Sequence, residues 1–206
     1  MVTIGILALQ GDIRFHEEIL EEIFRKNNIS DGKTKPIKYL KDLNGIDGLI
    51  IPGGESTVIG ILAKKVGLLE PLKDKIINGL PTLATCAGLV FLAKMVYDKT
   101  VGKVPQPILG ILDVDIERNS FGTQRESFET NLVMSILGEE PYKSIFIRAP
   151  VIKNVGPNVD IIAKFNEEIV AIKQDNIIGV AFHPELSGDL RIHKFFLDMV
   201  KERINE

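Results

Sequence analysis

The chain has 206 residues, 45% of them hydrophobic, which is enough to bury one sizeable core, and a single domain over residues 1–206 is the expectation. A net charge of −3, from 25 basic and 28 acidic residues, gives no overall electrostatic footprint for nucleic acid or an anionic membrane. No apolar run approaches the ~20 residues that span a bilayer, MVTIGILALQGD lacks the basic lead of a secretory signal, and one cysteine with three histidines rules out an internal disulfide and argues against a zinc site, so a cytoplasmic protein is expected.

In chain order, TIGILAL is a short aliphatic run suited to a strand buried on both faces, followed by the turn Gln10-Gly11-Asp12 and a helical pattern in IRFHEEILEEIF. NNISDGKTK reads as a polar loop, PIKYL as a second strand, and GLIIPGGEST as a third strand that stops at Pro52 and two glycines. VIGILAKK and LEPLKDKIIN read as helices, LPTLAT as a fourth strand, and AGLVFLAKMV, residues 87–96, as the next helix. This alternation predicts an α/β fold of three layers, a mostly parallel sheet flanked by helices. After the loop YDKTVGKVPQP the pattern changes to shorter strands, LGILDVDIE, ETNLVMSI, SIFIRAP, VDIIAKF, EIVAIKQ and IIGVAF, before a last helix in LRIHKFFLDMVKERI. The C-terminal half is therefore expected to add short antiparallel strands.

The only cysteine, Cys86, stands where the fourth strand gives way to a helix. Ligand sites in parallel sheets lie at such strand ends. Small residues around it, Ala84-Thr85-Cys86-Ala87-Gly88, allow the sharp turn of a nucleophile elbow, with the helix N-terminus behind the thiol. Taken alone, the stretch favours a buried structural thiol, since free cysteine is among the most buried residue types. A base is available in GVAFHPELSGD: residues two apart on an extended segment point the same way, so Glu185 can orient His183 while the other ring nitrogen addresses a thiol. Alone, His-Pro-Glu fits a surface turn equally well. His16 and His193 fall in amphipathic helical stretches and read as solvated or packed. In IIPGGES, Gly53 and Gly54 end a buried strand and can present backbone N–H groups to an oxyanion; the local alternative is a glycine turn whose helix is capped by Ser56 or Thr57.

Six blocks together, GILALQGD, LIIPGGEST, TCAGLVFLAK, ILDVDIERNSFG, FIRAP and VAFHPEL, resemble in order and separation the glutaminase subunits of pyridoxal 5'-phosphate synthase, which are triad-type class I glutamine amidotransferases with a flavodoxin-like fold. The resemblance covers nearly the whole chain, and ERNSFG is its most specific part. It implies Cys86 as nucleophile, His183 as general base and acid, and Glu185 as its orienting partner. Gly54, Glu55 and Ser56 match the glutamine-binding loop, and Arg118 with Ile147 and Arg148 match the remaining glutamine-binding positions. Read alone, the two arginines are surface charges. The oxyanion hole is expected at the backbone N–H groups of Gly54 and Ala87. The resemblance further implies hydrolysis of L-glutamine through a thioester, no metal and no organic cofactor, and a hetero-oligomeric complex in which ammonia is channelled to a synthase subunit that orders the oxyanion loop. The alternatives are a glutaminase for another biosynthetic amidotransferase and a non-catalytic binding module of the same fold. Two departures stand out: Ala84 occupies a position that is commonly glycine in the family, and the segment around residues 27–36 is longer than usual.

Overall fold

The computed structural model describes residues 2–27, 29, 31–98, 101–118 and 127–205. The N-terminal apolar run forms β1 (Val2–Leu7), buried from Thr3 onward. It leads into α1 (Arg14–Lys26), whose buried Ile19, Leu20, Ile23 and Phe24 follow the three-to-four spacing of a helix covering a core. The chain continues through β2 (Gly32–Ile37), β3 (Gly48–Ile51), α2 (Ser56–Lys65), α3 (Leu69–Ile77), β4 (Thr82–Thr85) and α4 (Ala87–Leu92). Short strands follow: β5 (Ala93–Asp98), β6 (Gly102–Lys103), β7 (Leu112–Arg118), β8 (Ser127–Met134), β9 (Gly138–Ile147), β10 (Val151–Val155), β11 (Asp160–Phe165), β12 (Glu168–Gln174) and β13 (Ile177–Val180). A 3-10 turn at Pro184–Leu186 and α5 (Arg191–Asn205) close the molecule.

The first part of the sheet runs β2-β1-β3-β4-β13, all parallel. This is the flavodoxin-like order, in which the chain leaves β1 toward opposite sides and opens a crevice at the carboxyl ends. Past β13 the sheet continues through β12, β10, β7, β5 and β6, antiparallel from β13 to β7. The separate hairpin of β8 and β9 is tied back by the His183 N–H, which donates to the Ile145 carbonyl at 2.8 Å. Phe196 and Val200 of α5 sit over Gly48 on one face of β3, while Gly88 of α4 lies against the Ile51 carbonyl on the other, giving three layers. Strands buried on both sides read as continuous apolar runs, which is why the parallel half is so plain in the sequence.

Five local expectations change. The helix expected over residues 87–96 stops at Leu92, and Ala93–Asp98 turns extended because it pairs in parallel with β7; a distant partner overrides local helix propensity. β2 begins at Gly32, inside the expected polar loop, and its partner β1 extends it over six residues, whereas Leu40 falls in a 3-10 turn. β9 starts six residues before the expected SIFIRAP, β10 falls where the sequence predicts no strand, and the short β6 lies inside the expected loop YDKTVGKVPQP. In the lengthened segment residues 28 and 30, and in the ERNSFG block residues 119–122, lie outside the described residues. Among the described residues no helix is long and apolar enough to cross a membrane.

Candidate active site

β4 ends in a tight bend that carries Cys86 at φ 49° and ψ −106°, a conformation that costs an L-residue roughly 1–3 kcal/mol and is held only by its surroundings. Here the surroundings are specific. The Cys86 N–H donates to the Val180 carbonyl of β13 at 2.8 Å, its own carbonyl accepts from the Val90 N–H at 3.3 Å, and Gly88 leaves no room for a side chain between α4 and β3. Ala84 is an ordinary buried strand residue paired with Ile51 and Gly179, so the strain falls on the cysteine itself and the position two residues earlier has no need of glycine.

The β4–β13 register sets Val180 beside Thr85, and the chain then carries His183 across to Cys86. The imidazole lies beside Cys86 on one side and, through Nδ1, bonds the Glu185 carboxylate at 2.6 Å on the other. Burial pulls the His183 pKa down, but the hydrogen bonds and charges of Cys86 and Glu185 outweigh it and raise it to about 10. Burial pushes Glu185 upward, yet the His183 hydrogen bond and the neighbouring imidazoles hold it below the usual carboxylate range. Gly53 makes this closeness feasible: a Cβ there would lie 2.5 Å from His183 Cε1.

The folded-state pKa of His183 exceeds its ordinary 6.5, so its stabilising contribution is complete below about pH 6.5 and is lost as pH rises through about 10. Thermal unfolding of the parent chain is therefore expected to fall over that interval by more than that of a His183→Gln variant, which differential scanning fluorimetry across pH will show.

A cavity of about 390 Å³ opens in front of the thiol, lined by Cys86, Ala87, His183, Gly54, Glu55, Ser56, Arg118, Ile147 and Arg148. Every site residue that the family resemblance implies lines it except Glu185, which stands behind His183, and of the two glycines of IIPGGES Gly54 lines it while Gly53 does not. The cavity wall also includes Gln10, Val90 and Pro150, beyond the residues expected from the sequence. Gln10 follows the end of β1 and its side-chain carbonyl accepts from the Glu55 N–H at 2.6 Å; its place at a strand end on this sheet edge was the available signal. Ala87, first residue of α4, carries one of the N–H groups that a helix leaves without an internal partner.

The cap of α2 differs from the expected Ser56 or Thr57. Glu55 takes that role, its carboxylate accepting from the Thr57 and Val58 N–H groups. Glu55 also faces Arg118, with Nη1 3.6 Å from Oε1. The same Nη1 donates to Thr57 Oγ1 and Gln106 Oε1, each at 2.8 Å, so the guanidinium is anchored from three sides. Ile147 ends β9 and Arg148 follows it in a bend at φ 45°; the Ile147 carbonyl faces the Cys86 thiol, with 4.0 Å between oxygen and sulfur. His16 and His193 are fully buried, so of the two readings open for them, packed is right and solvated is not.

Residues 6–202 match the SNO glutamine amidotransferase family. The chain is 47% identical over 199 residues to the pyridoxal 5'-phosphate synthase subunit PdxT of Nitrosopumilus maritimus, covering 97% of each. It is 46% identical over 200 residues to the protein of the same name from Saccharolobus islandicus, covering 97% of this chain and all of that one. Among solved structures, a glutamine amidotransferase superposes with a TM-score of 0.84 at 39% identity, over 96% of this chain and 98% of the other. The Thermotoga maritima PurLQS structure shares the fold at a TM-score of 0.67 and 13% identity, over 98% of both chains.

Proposed function

The chain belongs to the SNO glutamine amidotransferase family, and from that premise we propose that it is the glutaminase subunit of a pyridoxal 5'-phosphate synthase, a single glutamine amidotransferase domain releasing ammonia from L-glutamine. The observation that carries the reading is the meeting, in one cavity, of a strained cysteine, a histidine–carboxylate pair behind it and two arginines at its wall.

The chemistry follows from these positions. With the Cys86 proton already resting on His183, whose raised proton affinity holds it there, the sulfur attacks the side-chain amide carbon of glutamine. The resulting oxyanion is stabilised by the backbone N–H groups of Gly54 and Ala87, worth roughly 2.7–4 kcal/mol for such a donor. His183 returns the proton to the departing nitrogen, the carbon–nitrogen bond breaks, and ammonia leaves a γ-glutamyl thioester. Water then attacks the thioester, giving a proton to His183; the carbon–sulfur bond breaks, glutamate leaves, and His183 keeps the proton beside the freed sulfur for the next cycle. Glu185 keeps Nδ1 of His183 protonated throughout, so that Nε2 serves the sulfur.

The α-carboxylate of glutamine is taken up by the cationic side of the cavity, Arg118 and Arg148, with Ser56, Glu55 and Ile147 framing the rest. Arg118→Ala is expected to raise KM by about 10- to 100-fold with a smaller change in kcat, because a charge-assisted hydrogen bond contributes about 1.5–3 kcal/mol. Steady-state kinetics on glutamine will separate the two parameters.

Ammonia released into water mostly protonates and ceases to be a nucleophile, so the reaction is useful only when coupled to a synthase subunit in a hetero-oligomeric complex. The purified chain alone should therefore be a poor glutaminase, activated when its synthase docks and orders the loop at Gly53–Glu55. Glutamate release measured with and without the synthase tests this; full activity of the isolated chain contradicts it. A glutaminase serving a different biosynthetic partner would respond to another synthase in the same assay. A non-catalytic module of this fold would release no glutamate in either arm.

A further inference from the structure

Behind Glu185 lies a pair of imidazoles that the glutaminase reaction does not use. His16 of α1 and His193 of α5 are both 0% exposed. His16 Nδ1 is 3.0 Å from His193 Nε2, and His16 Nε2 is 3.6 Å from Glu185 Oε2. Five ionisable groups from four parts of the chain thus form a line, Cys86, His183, Glu185, His16 and His193, running from the cavity into the core.

The proton positions along this line follow from what each nitrogen faces. Burial holds both imidazoles below their ordinary pKa, so each is neutral and carries one N–H. If His16 donates from Nδ1, its bare Nε2 faces the Glu185 carboxylate, lone pair against negative charge. His193 is then left with a proton on Nδ1, a buried atom without a partner among the described residues. If His193 donates from Nε2 instead, His16 keeps its proton on Nε2, aimed at Glu185, and the unpartnered His193 Nδ1 is a bare acceptor. The first arrangement buries an unpaired donor and a repulsion, the second neither, so the second is favoured. At 3.6 Å the His16–Glu185 contact is longer than a hydrogen bond and acts electrostatically.

We propose that His16 is a positioning residue for glutamine hydrolysis: its Nε2–H holds the Glu185 carboxylate from the side opposite His183, and His193 fixes the tautomer that allows it. The inference rests on the roles given above to Cys86, His183 and Glu185. With Oε1 on His183 and Oε2 toward His16, the carboxylate plane is set from both ends and its charge is divided between two imidazoles. His16 is faced by Glu185 and His183 from the segment after β13, by Asp12 from the turn before α1, and by His193 from α5. Glu185 is faced by His183, His16 and, from β9, Tyr142.

Two amide substitutions divide the role. His16→Asn places its amide near the Nδ1 position, keeping the link to His193 and removing the donor to Glu185; His16→Gln reaches the Nε2 position and keeps that donor. Assayed in complex with the synthase subunit, H16N is expected to lose about tenfold in kcat, the low end of the loss seen when an outer partner that orients a metal-ligating side chain is removed, while KM holds. The upper limb of its kcat/KM pH profile should move to higher pH, because an unshared Glu185 binds the His183 proton more tightly. H16Q should keep the parental kcat and limb. Equal losses in both variants with an unmoved limb, or no loss in either, overturn the proposal. Since the chain has only three histidines, imidazole ¹⁵N NMR on the full-length protein gives a second readout independent of turnover. Nε2–H on both His16 and His193 is expected, and Nδ1–H on His16 overturns the proposal. A parent complex that releases no glutamate while showing the expected tautomers would instead defeat the reaction assigned to the triad.

Discussion

Replacing Cys86 by alanine is expected to reduce glutamate formation by about 10⁴-fold or more, as removal of a nucleophile does in other triads, without loss of fold. The thiol lies at the cavity wall and contributes little to the core, so alanine leaves packing intact. It also leaves the backbone strain in place, since any L-residue at φ 49° and ψ −106° carries it. Cys86→Gly should therefore be as inactive as Cys86→Ala and yet more stable than it, by about 1 kcal/mol after allowing for the extra freedom of glycine in the unfolded chain. That difference corresponds to about 2–4 °C in Tm for a chain of this size. Calorimetry on the two variants, beside a glutamate assay, checks both halves. A Gly variant less stable than the Ala variant would mean that the bend at Cys86 stores no strain.

Gly53→Ala is expected to lower kcat/KM by about 100-fold, the effect of misplacing a reacting group by about 1 Å, with a small change in thermal stability. The backbone at Gly53 lies outside the left-handed region, so alanine is conformationally admissible there. The obstacle is what its Cβ would meet: His183 Cε1 at 2.5 Å, His183 Nδ1 at 3.2 Å and Cys86 Cβ at 3.5 Å. Because Glu185 holds the ring at 2.6 Å, the imidazole cannot step aside without loosening either its orienting contact or its contact with sulfur. Kinetics with saturating synthase, together with a melting curve, separates this displacement from unfolding. Parental activity in Gly53→Ala would show that His183 works from a different position.

The parallel half of the fold was legible because strands covered on both faces must be apolar throughout, and β1, β3, β4 and β13 stand out as such runs. Ala93–Asp98 was not, because its sequence suits the end of a helix and its pairing with β7 and β6 draws it straight. The nucleophile, the base and its carboxylate were legible for a related reason: Cys86 sits at a strand end with small neighbours, and the two-residue offset of His183 and Glu185 is a local pattern. Arg118 and Arg148 carry no local signal and were raised only by resemblance to a family. The inner imidazoles were illegible because His16 and His193 lie 177 residues apart and meet only once α1 and α5 pack together. The same holds for Gln106, which supports Arg118 from a loop whose sequence says nothing of the cavity.

The most direct measurement is the fate of the amide nitrogen. With glutamine labelled by ¹⁵N in its side-chain amide as the sole nitrogen source, the reconstituted complex of this chain with its synthase should place the label in pyridoxal 5'-phosphate. The complex carrying Cys86→Ala should place none. Label in the product made with Cys86→Ala, or unlabelled product from the parent complex, would contradict the account.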